Sequence, residues 1–419
     1  MTRAAVSGPR RSIGRFEITV LLAMSMALGA LGIDLMLPAF DAMRADLGLA
    51  ADSNAIAGTI TAYFFGLALG TLVYGPLADR YGRRRALFVS YAIYGVGGLA
   101  SALAPSLGVL LAVRFVWGIG AAGSRVVTLA VIRDAYDGEE MSRAMSHVFA
   151  VFVLVPIIAP TLGAGIVAVS SWRWVFGFCV LYAVGITFWT MRLPETLRAE
   201  YRLEARFARL VEAGRVVISN RIAVGYGLAM TALYSVFIGY LGSSEIIFGE
   251  VFGQDATFPF IFGGLAAVMG LAMLVNARIV RSVGTRRLAH RVLVVYLLAA
   301  SGFAGYAWST GGRPPLAFFL LGLATMFVSH ALLIPNLNSI AMEPMARVAG
   351  TASSIIGAAQ LGLGALLGSL IDRAFDGTVL PLALGFALYG VLAFALVLWA
   401  EGGRLRLGSS VASVGSSSA

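Results

Sequence analysis

The sequence predicts an all-α polytopic membrane protein with 12 transmembrane helices in two six-helix halves. Of its 419 residues, 59% are hydrophobic and only 12% are charged, and the mean hydropathy is +0.87. Soluble proteins carry about 25% charged residues, so the composition argues against a soluble enzyme. Apolar runs of about 20 residues recur along the chain, and each is long enough to cross a hydrocarbon core of about 30 Å.

The apolar runs are separated by short polar loops, with one exception. Residues 193–220 are charged and amphipathic, and we expect a helical linker there that divides the spans six and six. The N-terminal half is then 1–192, the C-terminal half 221–401, and a disordered cytoplasmic tail 402–419. The predicted spans are 17–40, 54–77, 86–104, 107–132, 143–169, 173–192, 221–243, 256–280, 288–308, 315–336, 349–371 and 379–400.

The two halves repeat a loop motif at the same position. GPLADRYGRRRAL begins at Gly75, ARIVRSVGTRRLA begins at Ala277, and each follows the second span of its half. An offset of 202 residues aligns Gly82 with Gly284 and superimposes the arginine pairs that follow. Polar turns in general favour Gly and Arg, but the matched position favours duplication of a six-span unit, a plan that many alternating-access transporters share.

The arginines predict the orientation in the membrane. All 31 basic residues are arginine, and the formal net charge is +10. With the predicted spans, 24 arginines lie in the termini, linker and loops of one side and four on the other. The positive-inside rule places that side, with both termini, in the cytoplasm. Topology therefore accounts for the charge, and we expect the lipid bilayer as partner and no nucleic acid.

Several other classes of protein are disfavoured. The single cysteine, Cys179, allows neither an intramolecular disulfide nor a cysteine-based metal cluster, so we expect no metal and no cofactor. The chain has no His-Glu-x-x-His and no clustered intramembrane acids, and it is not expected to be an enzyme. A nucleotide-binding P-loop needs a lysine, which this chain lacks. The first apolar run is too long for a signal peptide and is expected to be retained.

The loop between spans 2 and 3 is the most specific motif. Gly75 permits close approach of a neighbouring helix, Gly82 permits a tight turn, and Asp79 can pair with an arginine. Its form, G-x-x-x-D-R-x-G-R-R, resembles the signature loop of the major facilitator superfamily. The resemblance implies a conformational latch, whose residues are Gly75, Asp79, Arg80, Gly82, Arg83 and Arg84.

Further stretches are similar to motifs of one branch of this family. Arg114 with Gly118 in span 4 resembles the Arg-x-x-x-Gly motif of proton-coupled members, and Asp34 with Pro38 matches an acidic span-1 motif of drug:proton antiporters. PNLNSIAMEP and the glycine-rich span 11 resemble the bicyclomycin/chloramphenicol resistance (Bcr/CflA) branch. The chain departs from the usual patterns where Trp117, Ala159 and Ala164 stand, and Met26 occupies the place of a second span-1 acid.

Span 5 contains an antiporter-like motif with Pro156, Pro160 and Gly163. Proline kinks a helix and small residues allow close packing, although both are common in membrane helices. The resemblance favours a helix packed tightly against the other half, where it closes a leak path.

Asp34 and Arg114 are predicted to form an ion pair that couples transport to protons. Each lies about six or seven residues from the outer end of its span, or roughly 10 Å deep, and the spans concerned both line the cavity of the resembled fold. A pair would offset the desolvation cost of both charges. A purely structural ion pair is the alternative.

A substrate cavity is predicted from polar and aromatic residues of several spans. Arg125 shares the small-residue face of Arg114, although it can also extend to the membrane surface. One face of span 7 carries aromatic residues and methionine, which make adaptable surfaces but also pack in cores. His330 can be a protonation site or a structural histidine. The candidates are Tyr63, Arg125, Tyr226, Met230, Tyr234, Phe237, His330, Asn336, Asn338 and Gln360.

These residues and the resemblance together lead to one functional expectation. We expect a monomeric, proton-coupled exporter of drug-like small molecules in a bacterial inner membrane, conferring drug resistance by alternating access. The alternative is a proton-coupled transporter of an endogenous metabolite, such as a sugar, amino acid or peptide-like solute, from the same superfamily.

Overall fold

The computed structural model describes residues 13–197 and 207–405, and within these ranges the chain is helical and contains no strand. Twelve helices of 18 to 32 residues form the two halves, which confirms the predicted fold class. The N-terminal half contains α1 (Arg15–Asp34), α2 (Phe40–Asp46, short), α3 (Gly58–Tyr81), α4 (Arg83–Ala102), α5 (Leu107–Ala135), α6 (Gly138–Val169) and α7 (Arg173–Thr190).

The C-terminal half follows a helix of the linker. It contains α9 (Arg221–Ile246), α10 (Phe258–Val283), α11 (Thr285–Ser309), α12 (Leu316–Met342), α13 (Ala349–Arg373) and α14 (Leu380–Ala400), and the linker helix is α8 (Phe207–Ser219). The rest of the predicted helical linker, 198–206, and most of the predicted tail, 406–419, lie outside the described residues.

Ten stretches of the described chain are long and apolar enough to cross a membrane. One of them, Leu316–Arg373, contains both α12 and α13, and α4, which begins with three arginines, is not among the ten. The outward surface is apolar: Leu274, Leu298 and Leu388 are 67%, 69% and 65% exposed. Such surface suits hydrocarbon, where α-helices satisfy their own backbone hydrogen bonds. The chain is a multi-pass membrane protein.

Glycines allow the close helix contacts that position the interior side chains. Gly66 of α3 and Gly118 of α5 face each other, and a Cβ at Gly118 would overlap the carbonyl group of Tyr63. Small residues of this kind let membrane helices approach to backbone contact. The contact places Arg114, one turn before Gly118, directly beside Tyr63.

The loops after α3 and α10 share one backbone conformation. Gly82 has φ 99° and ψ 153°, and Gly284 has φ 86° and ψ 142°. Both φ values are positive, and residues other than glycine rarely adopt such a backbone conformation. The repeated turn agrees with the offset of 202 residues between the halves. We call the end of the molecule with these two loops the arginine-rich end.

The halves meet along two helix pairs, α3 with α13 and α6 with α10. In the second pair, Gly263 and Gly270 of α10 lie against Ile157 and Val153 of α6. Away from the arginine-rich end, α2 and the 3-10 turn Asn54–Ala57 also touch the C-terminal half. We call this the closed end, because side chains from both halves join there in buried polar contacts.

Candidate functional site

Asp34 is the last residue of α1, at a break in the first span. The chain continues through a 3-10 turn, Leu37–Ala39, into α2. Pro38 lies within that turn, has no N–H to donate, and disfavours helix in the residue before it. The predicted span 17–40 is thus two helical segments. The carboxyl of Asp34 lies at their junction and is 5% exposed.

Arg114 is fully buried and holds the end of α1. Its Nη1 donates to the carbonyl oxygen of Gly32 at 2.8 Å, and its Nε donates to that of Thr59 at 3.2 Å. Its guanidinium also lies 4.3 Å from the ring centre of Tyr63 and 4.8 Å from that of Trp117. Carbonyl groups in the last turn of a helix lack helical partners and carry partial negative charge, so a cation is favoured there.

The predicted ion pair between Asp34 and Arg114 is wrong for this conformation. Within the described chain, neither side chain has an ion-pair partner. The break in α1 exposes carbonyl groups that take two of the arginine's donors, while Nη2 is buried without a partner. Asp34 instead lies within electrostatic range of tyrosines from both halves, namely Tyr63, Tyr234 and Tyr240.

Side chains of both halves meet around Tyr234, in a region that we call the cleft, with Tyr234, Phe237 and His330 from one half and Phe64 and Arg125 from the other. On the C-terminal side, the ring of His330 stacks on Phe237 with centroids 5.3 Å apart and lies 6.0 Å from Tyr234. Arg125 of α5 is exposed although it lies within a membrane helix, and it is within electrostatic range of Tyr234. Phe64 of α3 reaches Tyr234 edge-on at 6.2 Å. This region therefore combines a cation from one half with aromatic rings from the other.

Four cavity candidates lie inside a half rather than in the cleft. The Tyr226 hydroxyl bonds to His290 and Glu401, and Asn336 donates to Asn276. Met230 is 2% exposed and packs inside the C-terminal half in this conformation. Helix α9 is buried on almost every side, so the face that begins with Tyr226 turns into the helical bundle. Tyr63 is fully buried and donates to the Gly29 carbonyl at 3.1 Å.

Two further candidates remain compatible with a place near the cleft. Asn338 is exposed and Gln360 is half-buried. Tyr234, Phe237 and His330 are each half-buried, unlike Tyr226 and Met230 on the same predicted surface.

The latch motif connects helices within the N-terminal half. Arg83 lies between two carboxylates, with Nη1 2.5 Å from Asp79 and Nε 2.9 Å from Asp134. Glu195 accepts hydrogen bonds from the backbone N–H groups of Arg83 and Arg84 at 2.8 and 3.2 Å. Asp134 and Glu195 were missing from the predicted site, because no local pattern distinguishes them from other acids in polar loops.

The remaining motif residues occupy different surroundings. Gly82 supplies the turn, and a side chain there would overlap Glu195. Gly75 faces Ser354 of α13 in the other half. Arg80 forms no ion pair with a described residue and lies over the ring of Tyr81 at 5.1 Å. The ion pairs of the latch thus centre on Arg83.

The antiporter-like motif of α6 lies beside the break in α1. A Cβ on Gly163 would overlap the carbonyl oxygen of Leu35, the residue after Asp34. Gly163 therefore contacts its own half. The predicted packing of this helix against the other half is present, but at other residues of α6. The contact between α6 and α10 is made by Ile157 and Val153, on the same helix as Pro156 and Pro160.

Polar residues that the sequence placed in ordinary loops join the halves at the closed end. Arg44 of α2 donates from Nη2 to both oxygens of Glu245, at 2.8 and 2.9 Å, and both residues are buried. Asn54 donates to Ser243 at 3.2 Å and to the Asp372 carbonyl oxygen at 3.0 Å. The only sequence signal was that Glu245 and Asp372 extend apolar helical runs without a break.

Comparisons with known proteins agree with this architecture. The family model described as Major Facilitator Superfamily matches residues 22–369. A bicyclomycin resistance protein homolog of Haemophilus influenzae is 26% identical over 371 residues, covering 88% of this chain and 92% of that protein. A chloramphenicol resistance protein of Pseudomonas aeruginosa is 28% identical over 400 residues, covering 92% and 91%.

The fold is also found among solved transporters. The crystal structure of a D-xylose-proton symporter aligns with a TM-score of 0.73 at 14% identity, covering 92% of this chain and 97% of that one. At this identity the likeness concerns the fold alone. The resemblance to the bicyclomycin and chloramphenicol resistance branch is confirmed by the two relatives, and the family match covers most of the sequence. This chain belongs to the major facilitator superfamily, whose members are small-molecule transporters of the membrane and not enzymes.

Proposed function

We propose that this protein is a proton-coupled antiporter that exports drug-like small molecules across the bacterial inner membrane. Its relatives are named for bicyclomycin and chloramphenicol resistance, which supports an exported antibiotic as substrate. We assign the arginine-rich end and both termini to the cytoplasm on the positive-inside rule. The closed end is then periplasmic, and the protein works as a monomer.

The observation that carries the proposal is the state of Asp34. Its carboxyl is 5% exposed and lies within electrostatic range of tyrosines of both halves, and no arginine of the described chain pairs with it. Burying an unpaired carboxylate costs far more free energy than burying a neutral carboxylic acid. This conformation, closed at the periplasmic end, therefore fits an Asp34 that carries a proton.

Release of that proton has a defined consequence for Arg114. The Nη2 group of Arg114 is buried and unpartnered, and leaving such a donor unpaired costs free energy. An ionised Asp34 supplies an acceptor of opposite charge within the same half. We therefore propose that Asp34 and Arg114 pair after deprotonation, which moves the end of α1. The ion pair expected from the sequence is then a property of the other conformation.

The cleft gives the proposed substrate its binding surface. A flat ring stacks on the wall of Tyr234, Phe237 and His330, and an anionic or electron-rich group approaches Arg125. Arg125 forms no ion pair with a described residue, so its charge is available to a ligand. Because protons and substrate bind to alternating conformations, inward proton flow drives export.

Everted membrane vesicles test this function directly. Drugs are added to energised vesicles at the exposed cytoplasmic face, and proton release from the vesicle interior is followed with a pH-sensitive dye. We expect amphenicols or bicyclomycin to collapse the gradient in vesicles with the protein and not in vesicles without it. If no drug releases protons and a metabolite does, the proposal of drug export fails and metabolite transport takes its place.

A further inference from the structure

Asp372 is a buried carboxyl at the periplasmic junction of the two halves. It is the penultimate residue of α13 and is 5% exposed. One carboxyl oxygen, Oδ1, accepts a hydrogen bond from the hydroxyl of Ser243 at 2.8 Å, and the other, Oδ2, is buried without a partner. Among the described residues it has no ion-pair partner.

Its position also ties it to the closure between the halves. The backbone oxygen of Asp372 accepts from Asn54, which belongs to the N-terminal half, at 3.0 Å. Asn54 also donates to Ser243, the same residue that bonds the carboxyl. Gly242 packs against the carboxyl so closely that a Cβ there would lie 2.6 Å from both oxygens. Closing the halves therefore seals this carboxyl from water.

The surroundings disfavour a negative charge at this place. The last turn of a helix carries partial negative charge on its free carbonyl groups, which raises the free energy of a nearby carboxylate. Arg44, the buried cation of the closed end, is already bound to Glu245 and Asp41. The elements that pack at this end carry Tyr240 and Glu245 of α9, Arg44 and Asp41 of α2, Asp52 ahead of Asn54, and Arg373 and Asp376 of the segment of Asp372 itself. Tyr389 of α14 is titratable as well and donates a hydrogen bond to the carbonyl oxygen of Leu367 on α13, while the turn Asn54–Ala57 has no titratable residue.

We propose that Asp372 is a second proton-binding site, which must hold a proton for the halves to close at the periplasmic end. When this end is open, water reaches the carboxyl and it ionises. Closure removes the water and offers no cation in exchange, so the closed state binds one more proton at Asp372 than the open state. The proposal rests on the proposed function only for the direction from which the proton arrives.

A sign follows for the dependence of closure on pH. Because the closed state holds the extra proton, lowering the pH favours closure. One linked proton changes the closed-to-open ratio by at most about tenfold per pH unit. Asp372→Asn keeps the size of the side chain and an oxygen acceptor for Ser243, but it needs no proton. That variant is expected to stay closed at pH values where the wild type opens.

Distance measurements between spin labels at the periplasmic end test this without any drug. Labels on Ala50→Cys and Ala256→Cys, both exposed positions in different halves, report closure in lipid nanodiscs after the native cysteine is replaced by Cys179→Ala. We expect the short-distance population to grow as pH falls, and Asp372→Asn to lose up to about tenfold per pH unit of that slope. Asp376→Asn, an exposed carboxyl four residues after Asp372, is the control and should match the wild type.

Retention of the wild-type slope in Asp372→Asn would overturn the proposal. The same holds if the slope is lost in Glu245→Gln and kept in Asp372→Asn, because Glu245 would then be the proton-binding group. Asp372→Ala provides a second neutral variant if asparagine is not accommodated, with the same expected result. The readout is also independent of the proposed export. If no drug releases protons from vesicles while Asp372→Asn reduces the slope as expected, the proton site stands and the export function fails.

Discussion

Arg114 donates a hydrogen bond to the carbonyl oxygen of Gly32 at 2.8 Å, two residues before the break at Asp34. An arginine of α5 thus stabilises the end of α1 through its backbone, and the carboxyl beside it stays unpaired. This arrangement separates two jobs that a simple ion pair would combine. Arg114 fixes where α1 ends, and Asp34 is left able to gain or lose a proton.

Replacing Arg114 tests the first of these jobs. Arg114→Lys keeps the charge but cannot reach two carbonyl groups and two rings with one planar group. Each hydrogen bond from a charged group contributes about 1.5–3 kcal/mol, so we expect a lower melting temperature and at least about tenfold slower export. Arg133→Gln, on the exposed surface of the same helix, is the control. Wild-type stability in Arg114→Lys would contradict the capping role.

Replacing Asp34 tests the second. Asp34→Asn keeps the size of the side chain but can no longer gain or lose a proton. Drug-induced proton release should therefore vanish, while drug binding to purified protein remains. Growth in a pump-deficient bacterium and binding titrations measure the two effects. Asp52→Asn, an exposed acid near the closed end, should behave like the wild type. Full drug resistance in Asp34→Asn would rule out Asp34 as the coupling residue.

Gly163 offers a matched pair of substitutions. A methyl group at Gly163 would overlap the Leu35 carbonyl, whereas a methyl group at Gly165 would have no atom within 4 Å. Overpacking of this kind costs about 1–3 kcal/mol, so Gly163→Ala should lower both melting temperature and export and Gly165→Ala should change neither. Equal behaviour of the two variants would show that the break in α1 tolerates displacement.

The latch should act on the rate of conformational exchange. Asp79→Asn removes one of the two carboxylates that hold Arg83, so the turnover number should fall several-fold with little change in KM. Arg80→Gln changes a residue outside these ion pairs and serves as the control. A raised KM with unchanged turnover in Asp79→Asn would place this residue in substrate binding instead.

The charge of Arg125 should set substrate preference. Arg125→Gln removes the cation opposite the aromatic wall, so anionic and zwitterionic drugs should lose transport by up to about tenfold, while cationic dyes should lose little or gain. Uptake assays with both classes measure the ratio, and Arg133→Gln again provides the matched loss of one arginine. An equal loss for both classes would indicate a structural role for Arg125.

Much of the architecture was predictable because each membrane helix is encoded by a continuous apolar segment of the sequence. Hydrocarbon requires long apolar segments, so the twelve helices follow from hydropathy, and Gly82 and Gly284 stand where the repeated motif requires them. The break in α1 was accessible in part, since Pro38 marks it, but its position at Asp34 depends on Gly163 and Arg114 packing against it from other helices.

The partners of polar side chains could not be predicted in the same way. Glu245 lies 201 residues from Arg44, and no periodicity in one sequence relates residues so distant. The spacing on span 7 predicts a common face for Tyr226 and Tyr234, but it does not say how neighbouring helices divide that surface between the bundle and the cleft. The partners of Arg114 were missed because backbone carbonyl groups have no signature in sequence.

The break in the first span divides it into a fixed arm and a short outer arm. The outer arm begins at Asp34 and reaches Arg44 ten residues later, a length of roughly 15 Å for helical chain. Because of this length, a small rotation of the outer arm about Asp34 becomes a much larger displacement at Arg44. Arg44 is bound to the opposite half, so the displacement acts on the contact between the halves. We therefore expect a change of protonation at Asp34 to move the closed end while the long helices stay straight.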